Sequence, residues 1–138
     1  MIEKYTYSGL GYNPYFSYGE WQVAQLNYAD KQGFEDVEKI DIHFNTDEVF
    51  ILLKGDVVLI SAEKNDGQIS FLCEKMKPGI VYNIPRMTWH NIAMSKDAQV
   101  IIVENAGTHL SDFDFYYLDA KQKQALYTRI ASIISKLP

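Results

Sequence analysis

The sequence predicts an all-β domain closed by a C-terminal α-helix, and three observations carry that prediction. Short apolar stretches recur through residues 21–104, each ended by a cluster of Gly, Asn, Asp, Lys or Pro, which is the rhythm of strands and turns in a sandwich or barrel. Nowhere in that span do apolar residues follow the period of an amphipathic helix, so a βαβ arrangement is excluded. At the end of the chain that period does appear, in Leu126, Ile130, Ile133, Ile134 and Leu137.

Taken in order, residues 8–17 hold two Gly and one Pro without sustained periodicity and read as an irregular arm. Residues 21–28 alternate as a strand. Residues 37–44 form the next, with Val37, Lys39, Asp41 and His43 on one face. Residues 49–53 are apolar on both faces, as a doubly covered strand should be, and Lys54-Gly55-Asp56 reads as a hairpin into residues 57–62. Asn65-Asp66-Gly67 is the clearest turn, followed by strands at 68–75, 80–84, 89–94 and 99–104. Asp119 with Gln122 three residues later resembles a capping box opening the final helix. The organisation expected is one domain: an N-terminal arm (1–20), a barrel (21–107) and an extension carrying the amphipathic helix (108–138).

Composition narrows the function classes. At 138 residues the chain has the size of a single domain with one core. The net charge is -5 and the longest basic cluster is Lys121-Gln122-Lys123, which disfavours nucleic acid as a partner. Apolar runs are too short to span a membrane, and the polar opening Met1-Ile2-Glu3-Lys4-Tyr5 is no secretory signal. Cys73 is the single cysteine, so no intrachain disulfide can form and a reducing, cytoplasmic setting is expected. The many aromatics near both ends suit packing over a barrel or burial in a subunit contact.

The residues able to carry chemistry sit at strand ends. His43 and Glu48 flank the connection between residues 37–44 and 49–53, and if those strands are antiparallel neighbours the two side chains converge. His90 lies in another apolar-flanked strand. Two imidazoles and one carboxylate would bind iron, manganese, zinc or nickel with positions left for water or substrate, and Asp41 could supply a fourth ligand. By the period of two, Glu48 shares its face with Phe50 and Leu52, and His90 with Ile92 and Met94, so apolar walls would line a pocket for a small ligand. Arg86 is a candidate for a substrate carboxylate at the pocket mouth, with a surface charge as the plainer reading. Asp47 and Trp89 should point away from the site, His109 should be exposed, and Cys73 should be a small core residue.

These motifs resemble the cupin superfamily. His43, Glu48 and Gly55 match the second histidine, the glutamate and the glycine of its first motif, while Asp41 stands where that motif has its first histidine. Gly79, Pro85 and His90 match the second motif, with Met87 in place of a usual glycine and Met94 in place of a usual asparagine. The resemblance covers about residues 21–107. It implies a jelly-roll barrel of the double-stranded β-helix type, a divalent metal held by His43, Glu48 and His90 with Asp41 assisting, and a homodimer. Aspartate at position 41 would favour manganese, iron or magnesium.

Three functions remain open at this level. One is a metal-dependent enzyme acting on a small organic acid or sugar-like metabolite. Another is a metabolite-binding module without turnover. The third is a metal-free isomerase or epimerase using a His-Asp pair.

Overall fold

The computed structural model of the protein describes residues 1–135. Ten strands, β1 (Tyr12–Tyr18), β2 (Trp21–Asn27), β3 (Lys39–Ile42), β4 (Glu48–Lys54), β5 (Val57–Asn65), β6 (Gln68–Lys75), β7 (Val81–Ile84), β8 (Trp89–Met94), β9 (Gln99–Asn105) and β10 (Asp114–Tyr117), are joined by a one-turn helix α1 (Thr108–Ser111) and closed by α2 (Ala120–Ile134). The strands make two five-stranded antiparallel sheets, ordered β1-β2-β9-β4-β7 and β10-β3-β8-β5-β6. This is a jelly roll: the strand rhythm of residues 21–104 predicts a sandwich or barrel, and the resemblance of the motifs implies this one.

Two sequence expectations about pairing change. β3 and β4 are not neighbours, because they lie in opposite sheets. Nor is Lys54-Gly55-Asp56 a hairpin: β4 pairs with β7 and β9 and β5 with β6 and β8, so the turn carries the chain from one sheet to the other. Period-two alternation fixes which face a residue takes but not which strand lies beside it. The Asp66-Gly67 turn is a true hairpin, with both residues at positive φ (50° and 79°) and Asn65 paired to Gln68.

The first part of the expected irregular arm has no regular structure, but Tyr12–Tyr18 pairs with β2 as an edge strand. Pro14 is tolerated there because an edge strand need not donate on both sides, and the register shifts between Pro14 and Phe16 as a bulge would make it. Before it, residues 7–9 lie across the outer face of β2, where the Gln25 and Asn27 amides donate to the Tyr7 carbonyl (3.1 Å each) and Asn27 also to that of Gly9 (2.9 Å).

The apolar residues divide into two cores. Between the sheets pack Leu26, Phe50, Leu52, Leu59, Met94 and Val100; on the outer face of the second sheet pack Ile40, Val58, Ile60, Phe71 and Ala93. α2 covers this second cluster with Leu126 and Ile130, both fully buried, while Ile133 and Ile134 flank them. Leu137 of the expected stripe lies outside the described residues. The capping box forms as expected: Asp119 Oδ1 accepts from the Gln122 backbone N–H (2.8 Å) and Gln122 Oε1 from that of Asp119 (2.9 Å). Among the described residues no helix is long and apolar enough to cross a membrane.

At one end of the barrel the β4–β5 and β8–β9 crossovers lie against each other. The Ser95 N–H donates to the Asp56 carbonyl (2.8 Å), and the Asp56 N–H to Ser95 Oγ (3.0 Å). Gly55 sits in this contact at φ 83°, and a Cβ there would stand 2.6 Å from Ala98 Cα. Gly55→Ala should therefore cost roughly 2–3 kcal/mol, summing left-handed strain and overpacking. Gly67→Ala, with nothing within 4 Å of the added methyl, should cost only about 1 kcal/mol. Urea unfolding of the two variants checks this, and equal losses would refute the close-approach role of Gly55.

Candidate metal centre

The crossover between sheets is what assembles the site. β3 and β8 of the second sheet bring Asp41 and His90 side by side as a cross-strand pair, and β4 of the first sheet presents Glu48 from across the interior. His43 follows β3 directly. Its Nε2 lies 3.0 Å from Glu48 Oε1, and His90 Nε2 lies 2.9 Å from the same oxygen. Asp41 Oδ2 is 3.6 Å from His43 Nε2 and 3.8 Å from His90 Nε2. The four residues expected from sequence thus meet, although across the barrel rather than between adjacent strands.

Each imidazole is held from behind. His43 Nδ1 donates to the Asp112 carbonyl (2.7 Å), and His90 Nδ1 to the Thr88 carbonyl (2.9 Å). A carbonyl oxygen can only accept, so both Nδ1 atoms carry hydrogen and both Nε2 atoms turn to Glu48. A bare nitrogen lone pair facing a carboxylate oxygen would be repulsive. Each Nε2 must therefore carry a second proton, or a cation must lie among the three atoms. The two separations from Glu48, about 3.0 Å, are also the edge of an octahedron with bonds of about 2.1 Å. Both Asp41 with His43 and His90, and His43 with Glu48 and Glu104, bring donor atoms within 4.8 Å of one another, close enough to hold an ion.

The surroundings also shift the charge of each group. Burial alone would pull His43 down, but the hydrogen bond and charge of Glu48 outweigh it and raise the imidazole to about 9. His90 is raised for the same reasons, with Asp41 adding to the pull. Burial likewise opposes the charge on Glu48, yet the two imidazoles hold it down at about 2. Asp41 is raised, chiefly by burial.

A fifth member was missed from the sequence. Glu104 on β9 is buried and places a carboxylate oxygen within 4.8 Å of the His43 and Glu48 donor atoms. Burial, followed by the charge of Glu48, raises it to about 8. Tyr12 Oη donates to Glu104 Oε2 (3.3 Å) and accepts from Gln22 Nε2 (2.7 Å), which also reaches His109 Nδ1 (3.2 Å). The signal for Glu104 was present: it continues the inward face of Val100 and Ile102 just as Glu48 begins that of Phe50 and Leu52. His109 is exposed as expected.

Beside the cluster lies a cavity of about 150 Å³, walled by Glu48, His90, Asp41, Phe50, Ile92 and Ile102. It shares Tyr12, Leu26, Gln32, Asp41 and Asn91 with an open mouth of about 520 Å³. Of the expected pocket residues, Phe50 and Ile92 line this cavity, whereas Leu52 and Met94 pack deeper in the core. Arg86 is exposed on the rim, its backbone N–H on Asp47 Oδ1 (2.9 Å) and its guanidinium 3.4 Å from the Phe44 carbonyl, and it lines neither space. Asp47 faces outward, and its hydrogen bonds from Arg86 and Asn83 hold it below the usual carboxylate range. Trp89 packs edge-on to Tyr116 on the outer face. Cys73 is half-buried, and burial pushes its thiol up to about 11, away from the thiolate form a nucleophile needs.

No family model matches the sequence, and no curated protein matches it. The architecture, by contrast, has many solved counterparts. A cupin-2 domain protein from Shewanella frigidimarina superposes with a TM-score of 0.51 at 19% identity, over 71% of this chain and 84% of that one. The fold is that of the cupins. A Bacillus halodurans protein superposes with a TM-score of 0.53 at 16% identity, over 70% of each chain. Streptomyces PAC13, solved with uridine, gives 0.52 at 8% identity, over 87% of this chain and 96% of its own. Within that fold Met87, at the position of the usual glycine, has a φ of 66°, the left-handed backbone that glycine adopts without strain. Its N–H bonds the His43 carbonyl at 2.7 Å, which holds the conformation.

Two outcomes follow from this geometry. His43, raised from 6.5 to about 9, keeps a proton in the folded state that the unfolded chain releases. Its stabilising contribution is complete below about pH 6.5 and lost as pH rises through 9. Glu104, raised from 4.5 to about 8, acts in the same direction. Glu48, depressed to about 2, contributes above pH 4.5 and loses this as pH falls towards 2. Metal-free protein should melt highest at about pH 5 and less well at each step towards pH 9; a flat or rising profile in thermal scans would contradict the assignment. Asp112 also accepts from the Phe44 and Asn45 backbone N–H groups (2.9 and 3.1 Å). Asp112→Ala should cost about 1–3 kcal/mol in urea unfolding, because those bonds to a charged acceptor hold the segment that carries His43.

Proposed function

We propose that the protein is a metal-dependent cupin that binds a divalent ion through His43, Glu48 and His90, with Asp41 assisting, and acts on a small organic acid or sugar-like metabolite. The observation that supports this most directly is the pair of Nε2 atoms, each with Nδ1 already committed to a carbonyl, aimed at one oxygen of Glu48. A bound ion would polarise a substrate oxygen or activate water or dioxygen. The chain's own residues do the rest. Asp112 and Thr88 fix the imidazole orientations, Phe50, Ile92 and Ile102 wall one side of the cavity, and Tyr12, which also lines it, holds the buried Glu104 carboxylate beside the cluster. The carboxylates and mixed nitrogen and oxygen donors favour manganese or iron over softer-ligand metals.

A metal-free His-Asp pair is the weaker reading. Asp41 lies beyond hydrogen-bond distance of both imidazoles, at 3.6 and 3.8 Å, whereas Glu48 is within it.

Equilibrium dialysis against manganese, iron, zinc and nickel, followed by elemental analysis, tests the proposal. Stoichiometric binding of at least one metal is expected, with His43→Ala and His90→Ala each weakening it roughly 100-fold and Asp41→Ala about tenfold. Substoichiometric uptake of all four metals by the unaltered protein would overturn it.

A further inference from the structure

The mouth of the barrel carries a lysine that forms no ion pair among the described residues, with Asp41 the carboxylate whose charge it feels. Lys39 opens β3, two residues before Asp41, and so shares its inward face. On the neighbouring edge strand Phe115 is the cross-strand partner of Asp41, and Tyr117 that of Lys39. The Lys39 ammonium does not stand over its own partner. It leans along the strand to lie 3.7 Å from the centre of the Phe115 ring and 5.7 Å from that of Tyr117, and this diagonal brings it to the rung of Asp41, where the mouth narrows into the inner cavity.

Among the described residues no carboxylate lies within 4.0 Å of this ammonium and no acceptor within hydrogen-bond distance. Lys31, the other lysine at the mouth, is paired with Glu38 at 3.1 Å. The position of Lys39 is nonetheless a held one. Asn91, which lines both spaces, donates its amide to the Lys39 carbonyl at 2.7 Å and fixes the backbone there. A half-buried lysine whose ammonium rests on an aromatic face without a hydrogen-bond acceptor, at the entrance of the cavity, has donors available to an anion that enters.

We propose that Lys39 is the specificity-determining residue of the site, anchoring the carboxylate of a small substrate whose flat or apolar body lies against Phe115 and whose far end reaches the Asp41–His90 cluster. This rests on the metal-centre reading for the far end alone; the anchor itself consists of Lys39, Phe115, Tyr117 and Asn91. Among the substrates considered above it selects organic acids over neutral sugars. Lys39 is the one lysine of the mouth that, among the described residues, is not already paired with a carboxylate.

Benzoate and its uncharged counterpart benzamide are suitable probes, titrated by NMR against Mn²⁺-loaded and metal-free protein. In metal-free protein benzoate should bind about tenfold or more tightly than benzamide, shifting the Phe115 and Tyr117 ring signals. Lys39→Met, which keeps the aliphatic stem, should remove that preference while leaving benzamide unchanged, and Lys39→Arg should restore it. With Mn²⁺ bound, the benzoate ring protons should also relax faster, because the probe lies beside the ion. If benzoate and benzamide bind alike, or Lys39→Met keeps the preference, the anchor is refuted even where manganese binds. If manganese fails to bind and the benzoate preference persists, the metal-centre reading falls and the anchor stands.

Discussion

The Nδ1 atoms of His43 and His90 each end on a backbone carbonyl, and the rest of the site depends on that loss of freedom. Imidazoles free to turn could satisfy themselves with water or with either carboxylate. Held as they are, both present the same nitrogen to the same oxygen of Glu48, and proton or cation must occupy the space between them. The clamps come from far along the chain. Thr88 precedes β8, and Asp112 lies just past α1, in the segment that leads into β10. The C-terminal extension is thus not an appendage to the barrel: it sets the angle of a ring at the centre of it.

The same extension shapes the entrance. β10 adds a fifth strand to the second sheet and carries Phe115 and Tyr117 to the lip of the mouth. α2 then crosses to the outer face, where Leu126 and Ile130 seal the second core. One connected segment therefore positions a ligand-type histidine, lines the approach to it and buries the apolar back of the sheet that bears it. Disturbing the helix would reach the site through packing rather than through any direct contact.

Much of this was legible in the residues. Polar side chains that interrupt an apolar face, such as Glu48 before Phe50 and Leu52, stand out because burying an unpaired charge is costly, and the spacing of His43, Glu48 and His90 pointed to three side chains that do come together. The period of the final helix and its capping box were equally plain. Which strands lie side by side was not, because β3 and β4 alternate alike whether they are neighbours or face each other across a core. Glu104 carried the same signal as Glu48 but sat at the end of its strand, where a charge is ordinarily solvated. β10 is four residues long and mostly aromatic, too short for alternation to declare it. The role of Asp112 has no local signature at all, since a carbonyl that accepts from a histidine is a property every residue shares.

The origin of the candidate ligands in different sheets has a further mechanical meaning. Asp41, His43 and His90 belong to one sheet and its margin, while Glu48 and Glu104 belong to the other. With a single cysteine the chain has no covalent tie across its core. An ion coordinated from both sides would act as a reversible rivet between the two sheets, fastening the barrel at the end opposite the Gly55 and Ser95 crossovers. Opening motions that part the sheets would then have to break coordination bonds as well as slide side chains, so the stiffness of the barrel would follow the supply of metal.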